Sequence, residues 1–241
     1  MIRKSVIVAA GLSSRLYPLT IETPKALLPI GDETMLARSM RLLGEHGVTD
    51  IAVVVGYRAD AMRAVIGDSA TVIPNPYYRH CNNMGSLLMA KAFAGHAPFA
   101  YLHGDLVYES SMLESFLRKS AVMGQSCLDL LTAFGPVDAE AMKVRTTADG
   151  HLVESNKSIP LDEASGEWTG IAIIQRPDIV FDAIEKHMME VSLEDYDTAA
   201  FTSLAANGNV VRCIAATDDP WKEIDTMEDL DAARADFGAR R

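Results

Sequence analysis

Residues 9–30 read AAGLSSRLYPLTIETPKALLPI, and they follow the apolar run Ser5–Val8. A short β-branched run that ends in small residues is how a strand buried on both faces enters a tight loop. Small residues let backbone N–H groups come close to a ligand. Arg15 and Lys25, the latter fixed behind Pro24, add two cations to the same loop. The ligand this loop is built for is an anion.

Working outward, DIAVVVG (50–56) repeats the apolar run ending in glycine, and Leu36, Met40, Leu43 and Gly47 fall at helical spacing between the two. That is a βαβ unit, and the right-handed crossover makes its strands parallel. A helix near 60–66, a strand at 71–74, a helix from about 84 to 94 and the strand FAYLHGD (99–105) continue the alternation. Between 126 and 175 the runs CLDLLTAF, AMKVRT, HLVES and WTGIAII read as antiparallel strands, with Asp149-Gly150 as a turn. After two helices, VVRCIAA and WKEI are expected to close the sheet, and an alanine-rich acidic helix starts at Met227. The reading is one α/β domain over residues 1–241, doubly wound around a mixed sheet.

The chain has 241 residues, 49% hydrophobic and 23% charged, which is enough to bury a full core. Its 22 Lys+Arg against 33 Asp+Glu give a net charge of −11, which opposes a nucleic acid or an anionic membrane surface as main partner. Any bound anion must therefore be held by a local basic site. Cys81, Cys127 and Cys213 are scattered and form no metal or redox spacing, so a reducing cytoplasm is expected. The apolar start is too short for a signal sequence or a membrane span.

Two familiar phosphate loops fail on spacing: GxGxxG is absent because position 13 is serine, and no GxxxxGK[ST] occurs. The whole string instead resembles the signature of the nucleotidyltransferase (pyrophosphorylase) superfamily: Ala-Ala-Gly-x-Gly-x-Arg-Leu, then Pro-Leu-Thr, then Pro-Lys-x-Leu-x-Pro-Ile. One departure is Ser13 in place of the second glycine, where a hydroxyl could donate instead. Downstream, NNMGSL (82–87), GEWTGIA (166–172), EDYDTAAF (194–201) and WKEIDTMEDL (221–230) resemble the phosphocholine cytidylyltransferase branch, which also includes enzymes acting on aminoethylphosphonate and related compounds. The resemblance covers nearly the whole chain.

It implies a Rossmann-like, GT-A-like mixed sheet with a nucleotide-binding half at 1–110 and an acceptor-binding half at 111–241. It also implies Mg²⁺-dependent transfer of CMP from CTP to a small amine-bearing phosphate or phosphonate, with release of pyrophosphate. By this likeness Ala9, Ala10, Gly11, Leu12, Ser13 and Ser14 surround the triphosphate, and Asn82, Asn83 and Ser86 lie near the nucleoside. Arg15 can fork onto the β and γ oxygens, while Lys25 sits at the α-phosphate and the attacking group. Asp105 stands at the carboxyl end of an inner strand, where open α/β sheets collect ligands, and is expected to bind Mg²⁺. The resemblance places the second magnesium carboxylate at Asp225, which also reads as a helix N-cap with Glu228 three residues on.

Lys157 matches the lysine that the family sets near the substrate phosphate, although Asn-Lys-Ser replaces the usual Glu-Lys-Pro. An ammonium head wants aromatic faces and a carboxylate, and Trp168, Asp195, Tyr196, Trp221 and Glu223 are expected to supply them. His103 is read as a strand residue, because a phosphate attacker is already ionised and needs no base. Phosphocholine, 2-aminoethylphosphonate, a phosphorylated amino acid amide and a small polyol phosphate stand as alternative acceptors. A sugar-1-phosphate nucleotidyltransferase and a catalytically silent nucleotide-binding subunit are the rival readings; NNMGSL argues against the first, and Arg15, Lys25, Asp105 and Asp225 together against the second.

Overall fold

The computed structural model describes residues 2–238, so the two ends of the expected 1–241 domain lie outside the described residues. Strand β1 (Lys4–Ala9) leads into a long loop that carries two single 3-10 turns, Ser14–Leu16 and Lys25–Leu27. A small hairpin, β2 (Pro29–Ile30) and β3 (Glu33–Thr34), delivers the chain to helix α1 (Met35–Glu45). Thr34 caps that helix by accepting the Ala37 N–H, and Gly47 at φ 80° turns the chain into β4 (Asp50–Val55). Leu36 and Leu43 are buried on the sheet-facing side of α1, as their spacing requires.

Helix α2 (Ala59–Ile66) returns to β5 (Thr71–Pro74), and α3 (Asn83–Met89) with α4 (Lys91–Ala94) leads to β6 (Phe99–His103). The helix expected over 84–94 is thus two pieces. It breaks at Ala90, whose N–H bonds the Leu87 carbonyl in a tighter turn. The second half runs β7 (Leu106–Tyr108), α5 (Ser110–Val122), β8 (Leu128–Phe134), β9 (Lys143–Thr146), β10 (Leu152–Asn156) and β11 (Gly166–Ile174). Then come α6 (Pro177–Glu190), α7 (Asp197–Ala206), β12 (Val211–Ala215), β13 (Trp221–Glu223) and α8 (Met227–Phe237).

The main sheet has nine strands in the order β10-β9-β11-β6-β1-β4-β5, with β8 beside β11 and β12 outside β8. Strands β6, β1, β4 and β5 are parallel, whereas β11 runs against β6, β8 and β9, so the sheet is mixed. One expectation fails: WKEI does not close this sheet. Trp221–Glu223 pairs with β7 in a separate two-stranded ribbon, because β12 already occupies the sheet edge beside β8.

Alternate residues of β1 face opposite layers: Val6 and Val8 pack toward α6 and α7, and Ile7 packs toward α1 and α5. A third cluster, built from Leu16, Leu28, Ile30, Val107, Ile224, Leu230 and Phe237, seats the long loop and the β13–α8 corner against each other. Because β4 lies on one side of β1 and β6 on the other, the connections diverge there. A crevice opens at the carboxyl ends of β1 and β6, which is where a sheet of this kind holds its ligands.

Candidate active site

One side of the crevice is closed by backbone geometry. Gly104 follows β6, and a Cβ there would lie 2.8 Å from the Ala9 Cβ and 2.9 Å from the Val8 carbonyl oxygen, so only glycine lets the two loops meet. Ser13, at the position where the signature has glycine, adopts φ 51° and ψ 45°. The left-handed turn that the glycine of the signature would make freely is therefore kept here by a serine, at a conformational cost of roughly 1–2 kcal/mol. Leu16 is fully buried beneath this turn, which leaves Arg15 on the cleft side. Ala26 and Leu27 are buried likewise, and they fix Lys25 at the cleft floor.

Four charged side chains meet there. The Lys25 Nζ lies 2.7 Å from Asp105 Oδ2 and 2.9 Å from Asp225 Oδ1, and Arg15 reaches Asp225 Oδ2 at 2.8 Å. Burial opposes the Lys25 charge, but the two carboxylates outweigh it and hold the ammonium protonated well above its ordinary range. Burial likewise opposes ionisation of Asp225, and Lys25 and Arg15 outweigh it, so this carboxyl is held below its usual value. Asp225 is not the helix cap that its context allows. Thr226 caps α8 and Asp229 completes the capping box, which leaves the Asp225 carboxylate free to turn into the cleft.

The facing wall comes from the second half. A cavity of about 480 Å³ runs from Gly11, Ser13, Ser14 and Arg15 to Lys157, Trp168, Gly170, Tyr196 and Glu223. The Lys157 Nζ stands 5.8 Å above the Tyr196 ring, and the Lys157 carbonyl is held at 2.7 Å by the buried ammonium of Lys143. Glu223 is raised to about 7, first by burial and then by its neighbour Asp105. Gly170, at φ 79°, sits in the break of pairing between Trp168 and Ala172, where a Cβ would come within 3.1 Å of His103 Nδ1. A smaller adjoining cavity is lined by Ala9, Ala10, Asn82, Asn83 and Ser86. Asn82 caps α3, Asn83 Nδ2 lies 3.2 Å from His103 Nε2, and the Ser86 hydroxyl accepts from Asn75 Nδ2 at 3.0 Å. Leu12 lines neither cavity.

Two residues expected at the acceptor side are elsewhere. Asp195 turns to His187, with Oδ2 and Nε2 2.7 Å apart, and Trp221 packs against the apolar layer of α1 and α5; neither lines the cleft. Trp168 reaches the cleft but is 2% exposed, with its Nε1–H donated to the Ile171 carbonyl at 3.0 Å and its ring edge-to-face with His103 and Phe201.

What the sequence reading passed over is the buried support of this wall. Asp197, fully buried, accepts the Tyr101 hydroxyl at 2.6 Å and faces His103 Nε2 at 3.1 Å. Burial alone would lower the His103 pKa, but Asp197 reverses this and raises it to about 9. A signal was present: Asp197, Phe201 and Leu204 fall at i, i+4 and i+7, so the apolar stripe of α7 runs through Asp197. His103, Asp105 and Glu223 also bring one ligand atom each to within 4.8 Å of one another.

A larger cavity, about 750 Å³, is at the opposite end of the sheet, where Lys4 is paired with Asp50 and Arg176 with Asp178. It lies at the amino ends of β1 and β6, away from the switch point where a sheet of this kind holds its ligands.

Paired cations and carboxylates at the switch point of a sheet with this strand order are the marks of a nucleotidyltransferase. Residues 5–133, more than half of the chain, match the MobA-like NTP transferase domain, and the chain belongs to that family. It is 28% identical over 253 residues to the CMP-5'-(3-aminopropyl)phosphonate synthase of Streptomyces rubellomurinus, covering 97% of this chain and 38% of that protein. The choline-phosphate cytidylyltransferase of Streptococcus pneumoniae is 35% identical over 91 residues, 36% of this chain and 39% of that protein. The matched stretches thus span well under half the length of these two curated relatives. In fold, the chain is similar to the inositol-1-phosphate CTP transferase from T. maritima, with a TM-score of 0.82, 21% identity and coverage of 99% of this chain and 97% of that one. Relatives that act on sugar phosphates are also found. Among the described residues no helix is long and apolar enough to cross a membrane.

Proposed function

We propose that this chain transfers CMP from CTP to a small amine-bearing phosphate or phosphonate and releases pyrophosphate. The observation that carries the reading is that Arg15, Lys25, Asp105 and Asp225 line one cleft together with Lys157, Tyr196 and Glu223. The similarity to a CMP-phosphonate synthase over 97% of the chain supports the donor and the acceptor class.

In this reaction an acceptor oxygen bonds to the α-phosphorus of CTP while the bond to the bridging oxygen breaks, and the electron pair leaves with pyrophosphate. The attacking oxygen is already ionised, so no base is required. What must be overcome is repulsion: two unit charges about 4 Å apart at an effective dielectric near 20 repel by roughly 4 kcal/mol. Arg15 and Lys25 stand on the donor wall to neutralise the triphosphate, with Lys25 nearest the reacting phosphorus. Lys157 on the facing wall draws in the acceptor phosphate, and Glu223 takes its amine. Asn82, Asn83 and Ser86 border the nucleoside. Residues 1–110 thus form the donor half and 111–241 the acceptor half, except that Asp225 returns from the second half to the donor wall.

The family resemblance calls for a divalent metal, and the residues fit one. Asp105 Oδ1 is buried without a hydrogen-bond partner, and Lys25 already bridges Asp105 and Asp225, so a cation is at home between hard oxygen donors. Mg²⁺ held by Asp105 and Asp225 would neutralise charge on the triphosphate and on the departing pyrophosphate.

The experiment is a matrix of the four nucleoside triphosphates against phosphoethanolamine, 2-aminoethylphosphonate, inositol 1-phosphate and glucose 1-phosphate, with Mg²⁺, read as pyrophosphate produced. The reading expects the strongest signal from CTP with an amine-bearing acceptor. Turnover confined to UTP or dTTP with glucose 1-phosphate would replace it with the sugar-phosphate reading.

A further inference from the structure

We propose that the acceptor carries a primary ammonium group, and that the site discriminates against a trimethylammonium group. This rests on the amine-phosphate reading above and narrows it.

The two head groups carry the same charge and ask for different surroundings. A trimethylammonium has no N–H to donate and is held by several aromatic faces around it. A primary ammonium has three N–H donors and is held by acceptor atoms. The aromatic side chains that could enclose a trimethyl head are committed elsewhere. Trp168 is 2% exposed, its indole N–H bonded to the Ile171 carbonyl and its ring locked edge-to-face between His103 and Phe201. Trp221 lies outside the cleft in the apolar layer of α1 and α5. Tyr196 is the one exposed ring on the cleft among the described residues, and the Lys157 ammonium already stands over it. One ring, shared with a lysine, does not make a cage.

Acceptor atoms are available in their place. The Glu223 carboxylate lines the cleft with no hydrogen bond or ion pair to another described side chain, and it lies within 4.8 Å of a ring nitrogen of His103 and an oxygen of Asp105. Its charge attracts either head group, so attraction alone does not choose between them. The choice comes from the N–H bonds that only the less methylated head can make. A site built around hydrogen bonds rejects an analogue that lacks the donor far more strongly than an apolar pocket rejects an extra methyl group.

The test is a methylation series at constant phosphate: phosphoethanolamine, its N-methyl and N,N-dimethyl derivatives, and phosphocholine, each with CTP and the wild-type chain, read as kcat/KM by pyrophosphate release. The expected result is a stepwise fall, reaching at least about 100-fold for phosphocholine. Equal or better use of phosphocholine overturns the inference while leaving the amine-phosphate reading in place. Transfer to inositol 1-phosphate with none to any of the four amines brings down that reading itself, and the inference with it. In the variant Glu223→Gln the ratio between the first and last acceptor is expected to narrow to within about 10-fold. A ratio unchanged from wild type removes Glu223 as the discriminating group.

Discussion

The two walls of the cleft solve opposite problems. On the donor wall every charge is matched: Lys25 lies between Asp105 and Asp225, and Arg15 closes the set on Asp225. On the facing wall one carboxyl group is left over: Glu223 is raised to about 7, first by burial and then by its neighbour Asp105. The first wall is charge-balanced before any ligand arrives, and in the proposed reaction the second would hold its spare carboxyl for a cation that comes with the acceptor.

The sharpest way to break this contrast is Lys25→Met. Removing the shared cation is expected to cut turnover by about 10²–10³-fold, the effect typical of one preorganised electrostatic group. Pyrophosphate release within about threefold of wild type would mean that the balanced cluster is structural only.

Glu167, next to the cleft residue Trp168 on β11, is raised in the same way, first by burial and then by Asp138. Its folded value of about 7 lies above the ordinary 4.5, so the stability linked to it is full below about pH 4.5 and is lost as pH rises through about 7. Glu167→Gln abolishes that loss. The variant should be more stable than wild type at about pH 8, by up to roughly 2–3 kcal/mol, with the difference gone near pH 4.5, as denaturant titrations at the two pH values would show. A variant that is less stable at about pH 8 would mean that burial does not hold the Glu167 carboxyl protonated.

Ser13→Gly relieves the left-handed turn of the donor loop and is expected to stabilise the fold by about 0.5–1 kcal/mol, after allowing for the greater freedom of glycine in the unfolded chain. An unchanged or lower melting temperature would show that the serine hydroxyl compensates for its backbone. The smallest effect is expected at Asp195, which faces His187 and not the cleft. Asp195→Ala should change kcat/KM for the acceptor by less than about threefold, against the larger change at Glu223.

The same contrast explains what was legible in the sequence. The doubly wound first half followed from apolar runs ending in glycine, and the donor wall followed from its cations and carboxylates: charges at strand ends have few places to go other than a cleft. The acceptor wall was legible only in part. Trp168 and Trp221 look identical to cleft aromatics by residue type, yet tertiary packing uses them as core, one beneath the cleft and one behind the ribbon. In EDYDTAAF Asp195 is half-buried against His187, whereas helical spacing pointed to Asp197 as the acid turned inward. The ribbon of β7 and β13 was missed because three-residue strands carry too little periodicity to show which partner they will find.

Strand β11 carries one more consequence. Its last residues are hydrogen-bonded to β6 on one side and β8 on the other, while its first residues pair with β8 and β9. The two flanks of the cleft are therefore joined through one hydrogen-bonded plate, and closure on a ligand is expected in loops and side chains, not in a bend between separate bodies.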